Sequence, residues 1–121
     1  GIVPGDGAAW VLPRLIGTDK ALDLLWNGQV LTAEEAHQLG LLTYVIDDSE
    51  LQSFTDHYVE RLKNGPKETM RFMKRAVYQS RQLDLRTSLD MISSAMGIIT
   101  ELKDYEEGVQ ALVEKRKPEF S

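Results

Sequence analysis

Gly1-Ile2-Val3-Pro4-Gly5-Asp6-Gly7-Ala8-Ala9-Trp10-Val11-Leu12-Pro13-Arg14-Leu15-Ile16-Gly17 is the stretch from which the rest of the chain is read. Its first seven residues combine glycine freedom with the fixed dihedral of Pro4 and predict a turn. Asp6 is suited to cap the segment Gly7 to Ile16, because a short carboxylate accepts the free amides of a first helical turn. That segment predicts a short helix. Pro13 lacks an N–H and crowds the preceding turn, so it should kink the helix or mark a second segment. Gly17 ends it. No basic stretch leads into an apolar core here, which argues against a signal peptide. The missing initiator Met predicts a fragment or a processed chain.

Moving along the chain, Thr18 is expected to cap a helix to about Asn27, with Ala21, Leu22, Leu25 and Trp26 as its buried face and Gly28 as its stop. Thr32-Ala33-Glu34-Glu35 has the form of a capping box, in which the hydroxyl and the Glu three residues on satisfy each other's amides. The short helix it opens ends at Gly40. Leu41 to Ile46 is rich in β-favouring residues and predicts a strand. A lone strand needs partners for its backbone groups, so this one implies a chain that pairs elsewhere.

The remainder predicts three long helices and a shorter terminal one. Ser49-Glu50-Leu51-Gln52 is a second capping box, after which Leu51, Phe54, Tyr58 and Leu62 share a face. Asn64-Gly65-Pro66 ends that helix and starts the next, with Met70, Met73 and Val77 as its apolar stripe. Asp84 caps a third, where Leu85, Leu89, Ile92, Met96 and Ile99 recur at helical spacing. The last helix runs from about Lys103 to Arg116, with Val109, Leu112 and Val113 inward and Pro118 as the stop. The fold class is therefore mostly α, with one or two short strands.

The 121 residues suffice for one modest domain, and 42% apolar with 27% charged residues is the balance of a soluble globular protein. No apolar run is long enough to span a bilayer. The absence of Cys removes disulfides and thiolate zinc sites and fits a reducing compartment. A net charge of −5 argues against nucleic-acid binding. An anionic ligand would need a local basic patch, and two exist: Lys115-Arg116-Lys117, and Lys67, Arg71, Lys74, Arg75. Either patch also reads as a solvated helix face.

Residue chemistry alone yields no reaction. His37 and His57 lack partners at metal-ligand spacing, and no Ser sits in a nucleophile elbow. Gly5-Asp6-Gly7 lacks the Lys-Ser/Thr of a phosphate-binding loop and the third glycine of the dinucleotide fingerprint. Asp6 is a general acid or base if the turn faces a dry pocket, and a turn residue otherwise. Spacing leaves both readings open.

The run Gly1 to Gly17 resembles a signature of the enoyl-CoA hydratase/isomerase (crotonase) family, in which a G-x-x-P-x-x-G-G turn leads into a helix ending L-P-R-x-x-G. Ala21 to Leu31 is similar to the family's A-x-x-L-x-x-x-G-x-x-I/L. Ala33-Glu34-Glu35-Ala36 with Leu39-Gly40-Leu41 resembles its A-x-E-A-x-x-x-G-L-V segment. Glu107-Gly108-Val109-Gln110-Ala111 and Glu114-Lys115-Arg116-Lys117-Pro118-Glu119-Phe120 look like its E-G-x-x-A-F-x-E-K-R-x-P-x-F ending. The matches fall at both ends at the family's separation and cover in effect the whole chain.

The resemblance implies the C-terminal part of the crotonase α/β spiral, with residues 1–47 as the end of the core and 48–121 as the helical oligomerisation (trimerisation) region. It implies an enzyme acting on acyl-CoA thioesters. Two backbone amides hold the thioester oxygen as enolate character develops, and two glutamates manage the hydratase water. In family order these groups precede Gly1, so the chain alone is expected to be inactive. Pro4, Gly5 and Gly7 are expected pocket wall. Some family isomerases carry a catalytic Asp at the position of Gly5. Asp6 is one residue later, where a tight turn redirects the side chain, which favours a hydratase-like reading over isomerase. Asp6 remains the one candidate for a direct catalytic role.

Ala8 stands where the family has its second glycine, and Trp10 where a polar residue is frequent, implying a differently shaped pocket. Lys115 corresponds to a lysine near the CoA phosphates, Met96 to an aromatic over the adenine in some members, and Phe120 to the terminal Phe. Beside these stand plainer roles: a solvated charge, a core methionine and a tail anchor. Leu89, Ile92 and Ile99 are core or subunit interface. No cofactor is expected, the CoA thioester being substrate. A homotrimer or dimer of trimers (a hexamer) in cytoplasmic fatty-acid metabolism completes the expectation. A noncatalytic oligomerisation fragment is the alternative of a different class. The helix Gly7 to Ile16 is expected to leave Trp10, Leu12 and Ile16 exposed.

Overall fold

The computed structural model describes residues 1–121 and contains seven α-helices and no strand. They are α1 (Ala8–Ile16), α2 (Thr18–Asn27), α3 (Ala33–Leu39), α4 (Leu51–Lys63), α5 (Lys67–Ser80), α6 (Leu85–Ile99) and α7 (Lys103–Glu114). The chain divides into two compact units, Gly1–Gln52 and Ser53–Ser121. The expected strand at Leu41 to Ile46 is not formed; the segment is irregular. β-Propensity expresses itself only against a paired edge, and this all-helical chain offers none.

In the first unit α1 packs on α2. Asp6 Oδ1 accepts the Ala8 N–H at 3.2 Å, while the Gly7 carbonyl accepts the amides of Trp10 and Val11. The helix then runs unbroken through Pro13, so the expected second segment is absent. The joint between the helices is Gly17, not a capping Thr18. Gly17 adopts φ 84, ψ 160, a conformation essentially confined to glycine, and no side chain caps α2. Ala21 and Ile16 are buried where the two helices meet, whereas Trp26, expected inside, is 76% exposed. Trp10 is exposed as expected, and Leu12 is half-buried. The Thr32 capping box forms in full: Thr32 Oγ1 accepts from Glu35 N–H at 3.2 Å and Glu35 Oε2 accepts from Thr32 N–H at 2.8 Å.

In the second unit α5 packs on α6. Asp84 caps α6, accepting from both the amide and hydroxyl of Thr87 at 3.0 and 2.7 Å. The buried stripes are offset from the apolar ones. On α5, Thr69, Phe72, Ala76 and Gln79 are half-buried, as is Met70 of the expected stripe, while Met73 and Val77 are exposed. On α6, Ser88 and Ile99 are buried and Met91 and Ala95 half-buried, while Leu85, Leu89, Ile92 and Met96 are exposed. On α7, Ala111 is buried at 1% exposure, and Val109, Leu112 and Val113 are all exposed. Small residues (Ala76, Ser88, Ala95, Ala111) share the inward positions with Phe72, Met91 and Ile99, and let the helix axes approach closely.

Candidate functional site

Three features contain the residues on which sequence reasoning concentrated. The first is the opening turn. Pro4 is half-buried, Gly5 and Gly7 are exposed, and a Cβ built on either glycine would meet nothing within 4 Å. Gly7 has φ 94. The turn thus presents bare backbone on an open surface, a shape that lets a ligand or another chain come close to the main chain. Asp6 is also exposed, and its carboxylate is engaged at the helix start through Ala8. Beside it, the Arg14 guanidinium lies 4.0 Å from the Trp10 ring centroid and donates to the Trp10 carbonyl at 2.8 Å. This stacking fixes an exposed indole in place.

The second feature is the α5–α6 pair. One groove, of about 200 Å³, runs among Phe72, Arg75, Gln79, Met91 and Ile98. Another, of about 100 Å³, is wholly apolar and is bounded by Met73, Ile92, Met96 and Ile99. Met96 is therefore a groove-lining residue, 49% exposed, and not a core methionine. Gln79 Oε1 is buried without a hydrogen-bond partner. The structure does not bring Met96 together with Lys115 or Phe120 around either groove.

The third feature is the C-terminal tail. α7 ends at Lys115, the one non-glycine residue with positive φ (56), which turns the chain back. Arg116 then reaches across that reversal. Its two terminal nitrogens donate to Glu107 Oε1 and Oε2 at 2.6 and 2.9 Å, its Nε donates to Glu114 at 2.5 Å, and its amide donates to the Ala111 carbonyl at 3.0 Å. Glu107 also accepts the Glu119 amide at 2.8 Å, and Asp104 Oδ1 accepts both the amide and hydroxyl of Ser121. The Phe120 ring covers Gly108, where a Cβ would stand 3.6 Å from it. Lys115 itself is exposed. A cleft of about 340 Å³ opens between Asn64, at the end of α4, and Lys117, Pro118, Glu119 and Phe120.

The Arg116 fork and the Glu119 amide hold the Glu107 carboxyl down to about 2. Gln110 and then Arg116 lower Glu114, and Glu107 and Glu114 together raise Arg116 above its usual range. Elsewhere, the Thr32 backbone and hydroxyl lower Glu35, and the Thr87 hydroxyl and amide lower Asp84. Each of these carboxylates is stabilised as the anion by hydrogen bonds that build caps and a lock. They are structural acceptors, not proton donors at neutral pH. The histidines are tied to main chain, His37 Nδ1 donating to the Leu42 carbonyl at 2.9 Å and His57 Nδ1 to the Ser53 carbonyl at 2.7 Å. No helix is long and apolar enough to cross a membrane.

Sequence reasoning did not find the Glu107–Arg116–Glu119 lock. Glu107 and Arg116 are nine residues apart, a spacing that brings no neighbours together on a straight helix. They meet only because Lys115 reverses the chain, and nothing in a lysine advertises that conformation.

The family model for enoyl-CoA hydratase/isomerase matches residues 1–121. The 1,2-epoxyphenylacetyl-CoA isomerase of Escherichia coli strain K12 is 32% identical over 121 residues, covering 100% of this chain and 46% of that protein. A short-chain-enoyl-CoA hydratase of Clostridioides difficile is 32% identical over 109 residues, 90% of this chain and 70% of that protein. Among solved structures, an enoyl-CoA hydratase from Bacillus anthracis superposes with a TM-score of 0.91 at 34% identity, over 99% of this chain and 46% of that one. Apart from the Clostridioides protein, the chain spans about half the length of these relatives.

Proposed function

Because the chain belongs to the enoyl-CoA hydratase/isomerase family, we propose that it is the C-terminal part of an enzyme that adds water across the double bond of a 2-enoyl-CoA thioester. The observation that carries this reading is the C-terminal lock. The residues matching the family's closing motif are those that form it: Glu107 and Arg116 make the fork, Gly108 receives the Phe120 ring, Ala111 is the buried contact and Lys115 is the reversal. These mechanical tasks support the reading of the stretch as that closing motif.

In this reading the chain supplies walls and contacts, while the thioester-polarising amides and the water-handling glutamates come from polypeptide outside it. The downward-shifted carboxylates support that division, since each is committed to a cap or to Arg116. The bare turn at Pro4, Gly5 and Gly7 is the pocket wall. Lys115, Met96 and Phe120 are the CoA-side residues, reaching the CoA bound to a neighbouring copy in a trimer or dimer of trimers in the cytoplasm. The exposed apolar side chains Leu89, Ile92, Leu112 and Val113 supply surface for such contacts.

Hydration of crotonyl-CoA, followed by loss of the conjugated enoyl absorbance, tests the reading. The 121-residue chain alone should show no turnover, and a longer polypeptide carrying it should turn over. Activity in the isolated chain would overturn the division of labour. Conversion of a 3-enoyl-CoA without hydration in the longer polypeptide would establish the isomerase in its place. The isomerase name on the Escherichia coli relative gives that second reading its support.

A further inference from the structure

The tail after α7 has no regular secondary structure, yet its amides are not left to solvent. Glu119 N–H is accepted by Glu107, and Ser121 N–H by Asp104. The acceptors lie three residues apart on α7 and the donors two residues apart on the tail. An extended chain rises about 3.3 Å per residue and a helix 1.5 Å, so two steps of the one outrun three of the other by about 2 Å, a difference the side chains of Asp104 and Glu107 can take up. The tail thus runs back along one face of α7, with alternate amides meeting side-chain acceptors one helical turn apart. Between them Phe120 lies over Gly108.

Glu107 is unlike the other acceptors in this arrangement. It holds the hinge, through both terminal nitrogens of Arg116, and the tail, through Glu119. Glu114 holds Arg116 but not the tail, and Asp104 holds the tail but not Arg116. Four of the five residues lining the cleft at Asn64 belong to the tail: Lys117, Pro118, Glu119 and Phe120. That cleft exists only while the tail lies down.

We infer that Glu107 is a latch: residues 117–121 form a strap that opens and closes on α7, Glu107 holds it at the hinge and at Glu119, and its closure assembles the Asn64 cleft. The strap is a local opening unit of lower stability than the helix beneath it, because almost all its attachments pass through side chains of one helix. With the carboxylate ionised the strap is closed, and neutralising that single group frees hinge and strap together. Removal of Glu114 loosens only the guanidinium, and removal of Asp104 frees only the last residue.

Amide hydrogen exchange on the full 121-residue chain, wild type and Glu107→Gln, tests this. The isosteric change keeps the volume and loses the charge. In the wild type the Glu119 and Ser121 amides should be protected. In Glu107→Gln both should exchange at least about ten times faster, while Leu112 and Val113 in α7 change by less than about twofold. Glu114→Gln should leave Glu119 protected, and Asp104→Asn should speed Ser121 alone. The inference is overturned if the tail amides exchange at unfolded-chain rates in the wild type. Equal acceleration of the tail in Glu114→Gln, or of α7 in Glu107→Gln, also overturns it. If Glu107→Gln does not fold, Arg116→Lys is the second variant: it keeps the charge, loses the fork, and should speed Glu119 with α7 intact.

Discussion

The two ends of this chain both carry family-like motifs, and they are built in opposite ways. At the C-terminal end, Glu107, Gly108, Ala111, Glu114, Arg116, Glu119 and Phe120 all find their partners within α7 and the tail. At the N-terminal end, Gly5 and Gly7 meet nothing, Ile2 and Val3 are almost fully exposed, and Asp6 reaches only two residues along. One motif is explained by the fold that contains it. The other finds almost no partner inside the chain. A residue pattern therefore has two possible origins, and the structure separates them by whether the partners are inside the chain.

That contrast can be attacked by substitution. The largest expected effect is at Ala111, the most buried residue of the closed end. Ala111→Leu should overfill the contact and cost about 1–3 kcal/mol in urea unfolding. An unchanged midpoint would mean that the tail end is not tightly built. Gly7→Ala comes next. The site has room for a methyl but a φ of +94, so the loss should be about 1 kcal/mol and purely conformational. A null result would show that the open turn adjusts freely in solution.

Gains of similar or smaller size are expected where the closed end departs from ideal helix chemistry. Gly108 lies inside α7, and an added methyl would make only ordinary contact with Phe120. Gly108→Ala should raise stability by up to about 1 kcal/mol. Destabilisation would mean that the ring needs bare backbone beneath it. The smallest effect on global stability is that of discharging Glu107 alone, since it is confined to the tail. Glu107 is lowered from its ordinary 4.5 to about 2, so its contribution is complete above about pH 4.5 and disappears as pH falls toward 2. Tail amide protection measured across that window should fall with it. Protection that holds to pH 2 would assign the closure to Phe120 instead.

Much of the local structure was legible in the residues. Thr32 with Glu35, and Asp84 with Thr87, are satisfied within one helical turn, so sequence neighbours decide them. The same holds for the stops at Gly28 and Gly40. Which face of a helix is buried was not legible. Of the stripe Leu85, Leu89, Ile92, Met96 and Ile99 only Ile99 is buried, while Ser88 is the other buried residue of α6 and Met91 and Ala95 are half-buried. That choice is made by the partner helix, which the periodicity of α6 cannot see. The strand at Leu41 to Ile46 failed for the same reason. The candidate site was legible as a set of motif residues, but the Glu107 lock depended on a reversal at Lys115 that no residue type signals.

Trp10 and Trp26 are the only two indoles in the chain, and both face water, at 53% and 76% exposure. The protein therefore contains its own optical reporter. Hydrated indoles emit at long wavelength, and drying either one moves the light toward the blue. Whatever settles over α1 or α2, whether another copy, another polypeptide or a ligand, should announce its arrival as a change of colour without any added dye.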